Sequence, residues 1–132
     1  MRVNGAGNSN FGSNGPIVIG GGKGDDNINV TPNKMGGVDV TVTQQNGKTQ
    51  TYNLSAEEAD RLVLKGGKGD DNIHVDKGVK QNLTISGGRG SDNIKGGSGN
   101  DKIRGGRGDD FVHGGRGDDK VKGGRGDDSV HG

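Results

Sequence analysis

The sequence of 132 residues predicts an all-β fold, a right-handed parallel β-solenoid with an inserted β-hairpin and a short helix near the N-terminus. Five nine-residue units follow one another without a gap from Gly87 to His131. Two further copies stand alone at residues 21–29 and 66–74. The step from Gly66 to Gly87 is one coil of eighteen residues plus three, the step from Gly21 to Gly66 is one coil with an insertion of about 27, and same-edge steps from Gly87 onward are 18 residues each. Handedness follows the general rule for parallel crossover connections.

Each unit reads as a tight turn followed by a very short strand. Glycines at positions one, two and four allow backbone conformations with positive φ, which favours a turn. The last three residues alternate outward, inward and outward, as side chains of a strand do. Position eight is always aliphatic, so each unit buries one such residue: Ile94, Ile103, Val112, Val121 and Val130.

Two turns and two strands make a coil of eighteen residues, so alternate units stack on the same edge. One edge is expected to carry the turns that begin at residues 21, 66, 87, 105 and 123. The other carries the insertion, a plain loop near 76–80, and the turns at 96 and 114. Position six is aspartate in every unit, and carboxylates about 4.8 Å apart repel unless a cation lies between them. Oxygen ligands of this kind suit a hard cation.

The pattern G-G-x-G-x-D-x-U-x, where U is a large aliphatic residue, resembles the hemolysin-type repeat of the RTX (repeats-in-toxin) family. The resemblance implies a β-roll that binds calcium in its turns, with about five full sites. It also implies that the ligands are the position-six carboxylates and neighbouring glycine carbonyls. The aspartates are Asp26, Asp71, Asp92, Asp101, Asp110, Asp119 and Asp128. The glycines are Gly22, Gly24, Gly67, Gly69, Gly88, Gly90, Gly97, Gly99, Gly106, Gly108, Gly115, Gly117, Gly124 and Gly126.

Composition suggests that folding depends on the metal. The chain has 31 glycines and only 23% hydrophobic residues, which alone would place it among disordered chains. Ordering so much glycine against a thin core requires another source of free energy, and ion binding would supply it. There is no cysteine, and no apolar run is long enough for a membrane span or a signal-peptide core. Calcium-dependent folding without cysteine suits a secreted protein.

Residues 1–15 read as a flexible lead-in, and residues 16–132 as the repeat domain. The insertion at 36–62 has structure of its own. Alternating valines before Asn46-Gly47, and Tyr52 and Leu54 after it, predict a hairpin. A three-residue loop with Gly47 left-handed would place Val40 opposite Tyr52. Ser55 and Glu58 then form a capping box that opens a short helix to about Arg61. We expect hairpin and helix to cover the first coil; the alternative is a loop decoration without a capping role.

Several motifs have a second interpretation. Arg-Gly-Asp at 107–109, 116–118 and 125–127, and Lys-Gly-Asp at 23–25 and 68–70, resemble an integrin ligand, although the repeat itself forces them. His74, His113 and His131 share position nine and would form an outward ladder, as spacers or as transition-metal ligands. The net charge of +1 departs from the acidic character typical of RTX arrays. Lys102, Arg104, Lys120 and Lys122 would lie on one sheet, either for solubility or as a face for acidic polysaccharide.

The function we expect is that of a calcium-binding segment of a larger secreted bacterial protein. It would fold on calcium binding and have a structural, secretion-supporting or adhesive role. The alternatives are a basic module that binds acidic polysaccharide or another polyanion, and an accessory segment of an enzyme or toxin whose catalytic domain lies elsewhere. No nucleophile is paired with a base, so no enzyme activity is expected in this segment. Nucleic acid is not expected as a partner because stacking aromatics are nearly absent, and we expect a monomer.

Overall fold

The computed structural model describes residues 15–131; the predicted lead-in lies outside the described residues, apart from Gly15. Within 15–131 the chain forms strands and one short helix. In order these are β1 (Ile17–Gly22), β2 (Asn27–Pro32), β3 (Val38–Thr43), β4 (Thr49–Leu54), α1 (Ala56–Ala59), β5 (Leu62–Gly67), β6 (Asn72–Val75), β7 (Thr84–Ser86), β8 (Asn93–Lys95), β9 (Lys102–Arg104), β10 (Phe111–His113), β11 (Lys120–Lys122) and β12 (Ser129–His131).

The strands form two sheets, and from β5 onward successive strands alternate between them. The first sheet has the order β11-β9-β7-β5-β1, and the second has the order β12-β10-β8-β6-β2-β3-β4. Pairing is parallel except within β2-β3-β4. In the array, Ile103 pairs with Val121 and Val112 pairs with Val130, each eighteen residues on. The all-β class, the parallel strands and the eighteen-residue step predicted from the repeats are therefore confirmed.

The insertion adds an antiparallel hairpin to the second sheet. Val40 lies opposite Tyr52 and Val38 opposite Leu54, as predicted. The N–H of Gln44 donates to the carbonyl of Lys48 at 2.8 Å, and Gly47 has φ of 90°, so residues 45–47 form the three-residue loop. This loop sets the register because it places both apolar rows on the same side of the ribbon.

Helix α1 begins with the capping box that the sequence predicts. The N–H of Glu58 donates to Oγ of Ser55 at 3.2 Å, and the N–H of Ser55 donates to Oε1 of Glu58 at 2.9 Å. The two side chains thus satisfy backbone donors that the first helical turn leaves open. Ala59 is buried, which fixes this short helix against the core.

The core is a thin row of aliphatic side chains between the two sheets. From the repeats it contains Ile73, Ile94, Ile103 and Val112, each at most 2% exposed. Toward the N-terminal end it also takes in Ile17, Ile19, Val38, Val40 and Val42, so the hairpin packs on the first coil. Position eight is not buried throughout, contrary to prediction: Val130 is 40% exposed, because no described strand pairs beyond β12.

Candidate metal sites

The turns place glycines where other residues would not fit. Gly88 and Gly90 have φ of 93° and 106°, the left-handed region that glycine adopts readily. A Cβ on Gly88 would also overlap the carbonyl oxygen of Gly67 in the coil below. Gly87, at position one, has a different reason: a Cβ there would lie 2.5 Å from Oδ2 of Asp92. The missing side chain leaves room for the position-six carboxylate to fold back over its own turn.

The position-six aspartates form a hydrogen-bonded ladder along the first edge. The N–H of Asp71 donates to Oδ1 of Asp92, and the N–H of Asp92 to Oδ1 of Asp110, both at 2.8 Å. The same contact joins Asp26 to Asp71 at 2.9 Å and Asp110 to Asp128 at 2.7 Å. On the second edge the N–H of Asp101 donates to Oδ1 of Asp119 at 2.7 Å. The structure thus places the predicted aspartates in the two stacks expected from an eighteen-residue coil.

The second carboxylate oxygen of these aspartates is buried and has no hydrogen-bond partner. Within residues 15–131 this holds for Oδ2 of Asp26, Asp71, Asp92, Asp101, Asp110 and Asp119. A buried acceptor without a donor costs roughly 1–3 kcal/mol, and more when it is charged. Since the stacked groups are all acidic, they also repel one another. Protonation or a cation between the coils would remove both costs.

Burial raises the pKa of four of the stacked carboxyls. The pKa of Asp71 rises to about 7, and that of Asp92 to about 8. The pKa of Asp101 rises to about 6, and that of Asp110 is raised too. Desolvation is the main cause in each, and repulsion from the neighbouring aspartates adds to it, while the backbone N–H donors work in the opposite direction. The carboxyls are therefore poised between holding a proton and binding a cation.

Position five forms a second ladder, which the sequence analysis did not predict. The N–H of Asp70 donates to Oδ1 of Asp25, and the N–H of Ser91 to Oδ1 of Asp70, both at 2.8 Å. On the second edge the N–H of Asn100 donates to Oδ1 of Asn82 at 2.8 Å. These bonds run opposite to those of position six. Asp or Asn occupies position five in every unit except that of Ser91, a regularity that could have revealed the ladder.

Two residues outside the repeats end the position-six ladders. The N–H of Gln45, at the hairpin tip, donates to Oδ1 of Asp26 at 3.2 Å, while its Oε1 accepts from the N–H of Asp25. On the second edge the N–H of Leu83 donates to Oδ1 of Asp101 at 2.9 Å. Each of these two residues provides the backbone N–H that a repeat turn would provide. Neither has a carboxylate that could continue the ladder. Asp26 and Asp101 therefore each have only one carboxylate neighbour.

The predicted glycine ligands fall into two groups. Position-two carbonyls accept hydrogen bonds from the next coil: the N–H of Lys68 donates to Gly22, and that of Arg107 to Gly88, at 2.9 and 3.0 Å. Position-four carbonyls, such as those of Gly69 and Gly90, accept none from the described backbone. The position-four oxygens are thus the freer acceptors, whereas a position-two oxygen has one lone pair left.

A metal in these turns would have to use backbone oxygens as well as aspartates. Among residues 15–131, no three acidic or histidine side chains converge on one point. Two stacked carboxylates, with carbonyls from both turns, form an oxygen-only donor set with the character that calcium prefers. The buried Oδ2 atoms and the oxygen-only donor set are therefore suited to calcium.

Comparison with known families agrees with this geometry. The family described as RTX calcium-binding nonapeptide repeat (4 copies) matches residues 63–79, 84–112 and 105–132, which together cover half of the chain. The chain belongs to this family, whose repeats bind calcium and are structural rather than catalytic. Proteins that carry the repeat are typically secreted. The isolated copy at 21–29 lies outside the matched segments. Neither the curated proteins nor the solved structures gave a match.

The histidines at position nine lie on one sheet face, as the repeat pattern predicts. His74 pairs with Lys95, and His113 lies between Lys95 and His131, so the expected histidine ladder forms on the outer face of the second sheet.

Among the described residues, the basic side chains at position three do not form ion pairs with the turn carboxylates. Within 15–131, no basic residue at position three lies within 4 Å of a position-five aspartate. The one helix of the described residues, α1, is not long and apolar enough to cross a membrane.

Proposed function

We propose that this chain is a calcium-binding β-roll, a right-handed solenoid that folds on calcium and gives structural support within a secreted bacterial protein. The observation that carries the proposal is the recurrence, in the turns from Asp26 to Asp119, of a buried Oδ2 atom that has no hydrogen-bond partner among the described residues. Each gap between stacked aspartates is one site: four gaps from Asp26 to Asp128 on the first edge, and one between Asp101 and Asp119 on the second. The carbonyl oxygens of the position-four glycines complete the ligand set of each site.

Calcium would act as a folding ligand rather than as a catalytic cofactor. At an effective dielectric constant of about 20, two unit charges about 5 Å apart repel by about 3 kcal/mol. A divalent cation between them converts that repulsion into attraction, and the free energy of binding becomes free energy of folding. The slender core is the reason that this contribution matters, because each nine-residue unit of the array buries at most one aliphatic side chain.

The hairpin and α1 would cap the N-terminal end of the β-roll. They cover the N-terminal end of the core, and Gln45 ends the aspartate ladder there. Terminal units of stacked-repeat proteins need such a cap, because their outer face has no neighbour. We assign residues 36–62 this capping role.

Equilibrium dialysis against calcium tests the proposed sites with a matched pair of substitutions. Asp92→Asn keeps an acceptor for the N–H of Asp71 but removes a charge from position six. Asp70→Asn makes the same change at position five, where Oδ1 accepts from Ser91. We expect Asp92→Asn to lower the number of bound calcium ions and Asp70→Asn to leave it unchanged. Equal losses for the two variants would refute the assignment of position six as the metal ligand.

A further inference from the structure

In the described part of the chain, the outer face of the first sheet carries basic side chains and no acidic ones. The side chains of Lys102 and Arg104 on β9, and of Lys120 and Lys122 on β11, all point to solvent. We call these four residues the basic face. The neighbouring outward positions of the same sheet carry Thr84, Ser86, Val63 and Lys65, so this face holds no acidic residue. The net charge of +1 conceals this separation, because the carboxylates lie mainly in the turns.

The basic face brings like charges directly opposite one another. Lys102 pairs with Lys120, and Arg104 pairs with Lys122, in the parallel register of β9 and β11. Like charges across a strand pair are destabilising. No carboxylate lies within 4 Å of any of the four, among the residues that the structure describes. The face therefore carries an electrostatic cost that a bound anion would remove.

The spacing of the four cations defines the kind of anion that fits. Neighbouring strands lie about 4.8 Å apart, and alternate residues of a strand about 6.7 Å apart. A groove of about 400 Å³ lies over the face, lined by the outward residues Thr84, Ser86, Lys102, Arg104, Lys120 and Lys122 and by the buried Ile85 and Ile103. The groove can take a linear polymer that carries an anionic group on each unit, with hydroxyls of Thr84 and Ser86 available as hydrogen-bond partners.

We propose that the basic face binds an acidic polysaccharide. Such a chain bears a carboxylate or sulfate on its sugar rings and hydroxyls between them, which matches the cations and hydroxyls of the groove. Nucleic acid is a poorer fit, because the face has no aromatic side chain on which bases could stack. A membrane surface is a poorer fit too, because no large apolar side chain accompanies the four cations. The exposed Val18 lies on β1, at the far end of the sheet.

Calcium would strengthen this interaction without taking part in it. The turn aspartates flank both edges of the sheet, and their negative charge weakens the field over the basic face. Calcium in the turns would neutralise them and leave the lysines and Arg104 as the dominant local charge. The face differs from the calcium sites in residues and in location, so it is a second site and not part of the first.

Binding of the full chain to immobilised dextran sulfate, in calcium, tests the proposal. The face variant carries Lys102→Gln, Arg104→Gln, Lys120→Gln and Lys122→Gln. The control variant carries Lys68→Gln, Arg89→Gln, Arg107→Gln and Arg125→Gln, an equal loss of charge on an edge that also bears position-five aspartates. We expect the face variant to bind about tenfold more weakly, since four exposed ion pairs are lost, and the control to change far less.

Neutral dextran, duplex DNA and phosphatidylserine vesicles are the comparison ligands. The proposal predicts salt-sensitive binding to dextran sulfate that is tighter than to any of these. Equal weakening by the two variants, or tighter binding to DNA or to vesicles, would overturn it. Far-UV circular dichroism of each variant in calcium reports folding separately. A failure of calcium-dependent folding is therefore distinguishable from a failure of binding.

Discussion

The backbone N–H of Asp92 donates to Oδ1 of Asp110 across 2.8 Å, while Oδ2 of Asp110 is buried with no partner among the described residues. One oxygen thus holds two coils together, and the other is left for a cation. Because this relationship recurs from coil to coil, the hydrogen-bond ladder and the proposed metal sites are the same structure. Removing a carboxylate should therefore affect stacking and calcium binding together.

The position of an aspartate in its stack should determine how many ions its loss removes. Asp110 lies between Asp92 and Asp128, whereas Asp128 has only Asp110 as a described neighbour in the stack. We expect Asp110→Ala to lose two calcium ions and Asp128→Ala to lose one, measured by calorimetric titration. Equal losses would show that the ions do not lie in the gaps of an eighteen-residue coil.

Magnesium should replace calcium poorly. It requires near-ideal octahedral geometry at short distances and gives up its waters reluctantly, whereas the turn oxygens are fixed by the stacking of the coils. We therefore expect the magnesium concentration at the folding midpoint to be far higher than that of calcium, in parallel titrations followed by circular dichroism. Matching midpoints for the two ions would argue against sites embedded in the turns.

Without calcium, the fold should be more stable in acid than at neutral pH. The pKa of Asp92 rises to about 8 and that of Asp71 to about 7 in the folded chain, well above the unfolded value of about 4. The folded state then binds more protons than the unfolded state, so stability is lost as pH rises from about 4 to about 8.

Far-UV circular dichroism of the calcium-free chain, in chelator at several pH values, measures this dependence: the β-sheet signal should be small at neutral pH and larger in acid. Asp92→Asn, which cannot ionise, should have a flatter profile and serves as the control. A calcium-free chain that becomes more stable between about pH 5 and about pH 8 would contradict the predicted sign. With calcium present the dependence should reverse, because binding requires the ionised carboxylates.

Gly87→Ala should damage a metal site by crowding, since Gly87 is not among the glycines with positive φ. A Cβ at Gly87 would lie 2.5 Å from Oδ2 of Asp92 and 2.7 Å from the carbonyl of Gly105. Crowding of this kind costs about 1–3 kcal/mol, and it would move the carboxylate out of its gap. We expect weaker calcium binding and a lower melting temperature in calcium. Gly78→Ala, whose Cβ would meet nothing nearer than 3.1 Å, is the control and should change both much less.

The repeats made much of the fold predictable, because an eighteen-residue period determines both the strands and the stacking of the turns. The hairpin register followed from the alternation of Val38 and Val40, and the helix start from Ser55 and Glu58. Gln45 and Leu83 could not be found in this way. Their backbone N–H groups take the place of a repeat turn only after the chain has folded, and no side-chain pattern marks a backbone donor. The position-five ladder was missed for a different reason: its Asp and Asn residues read equally well as ordinary turn formers.

Calcium-dependent folding is best tested by a far-UV circular dichroism titration of the full chain with calcium at neutral pH, starting from excess chelator. We expect a largely disordered spectrum in chelator, because glycine entropy and the repulsion between buried carboxylates outweigh the thin core. The β-sheet signal should then rise cooperatively as calcium is added and be lost when chelator is restored. A full β-sheet spectrum in chelator, unchanged by calcium, would contradict this expectation.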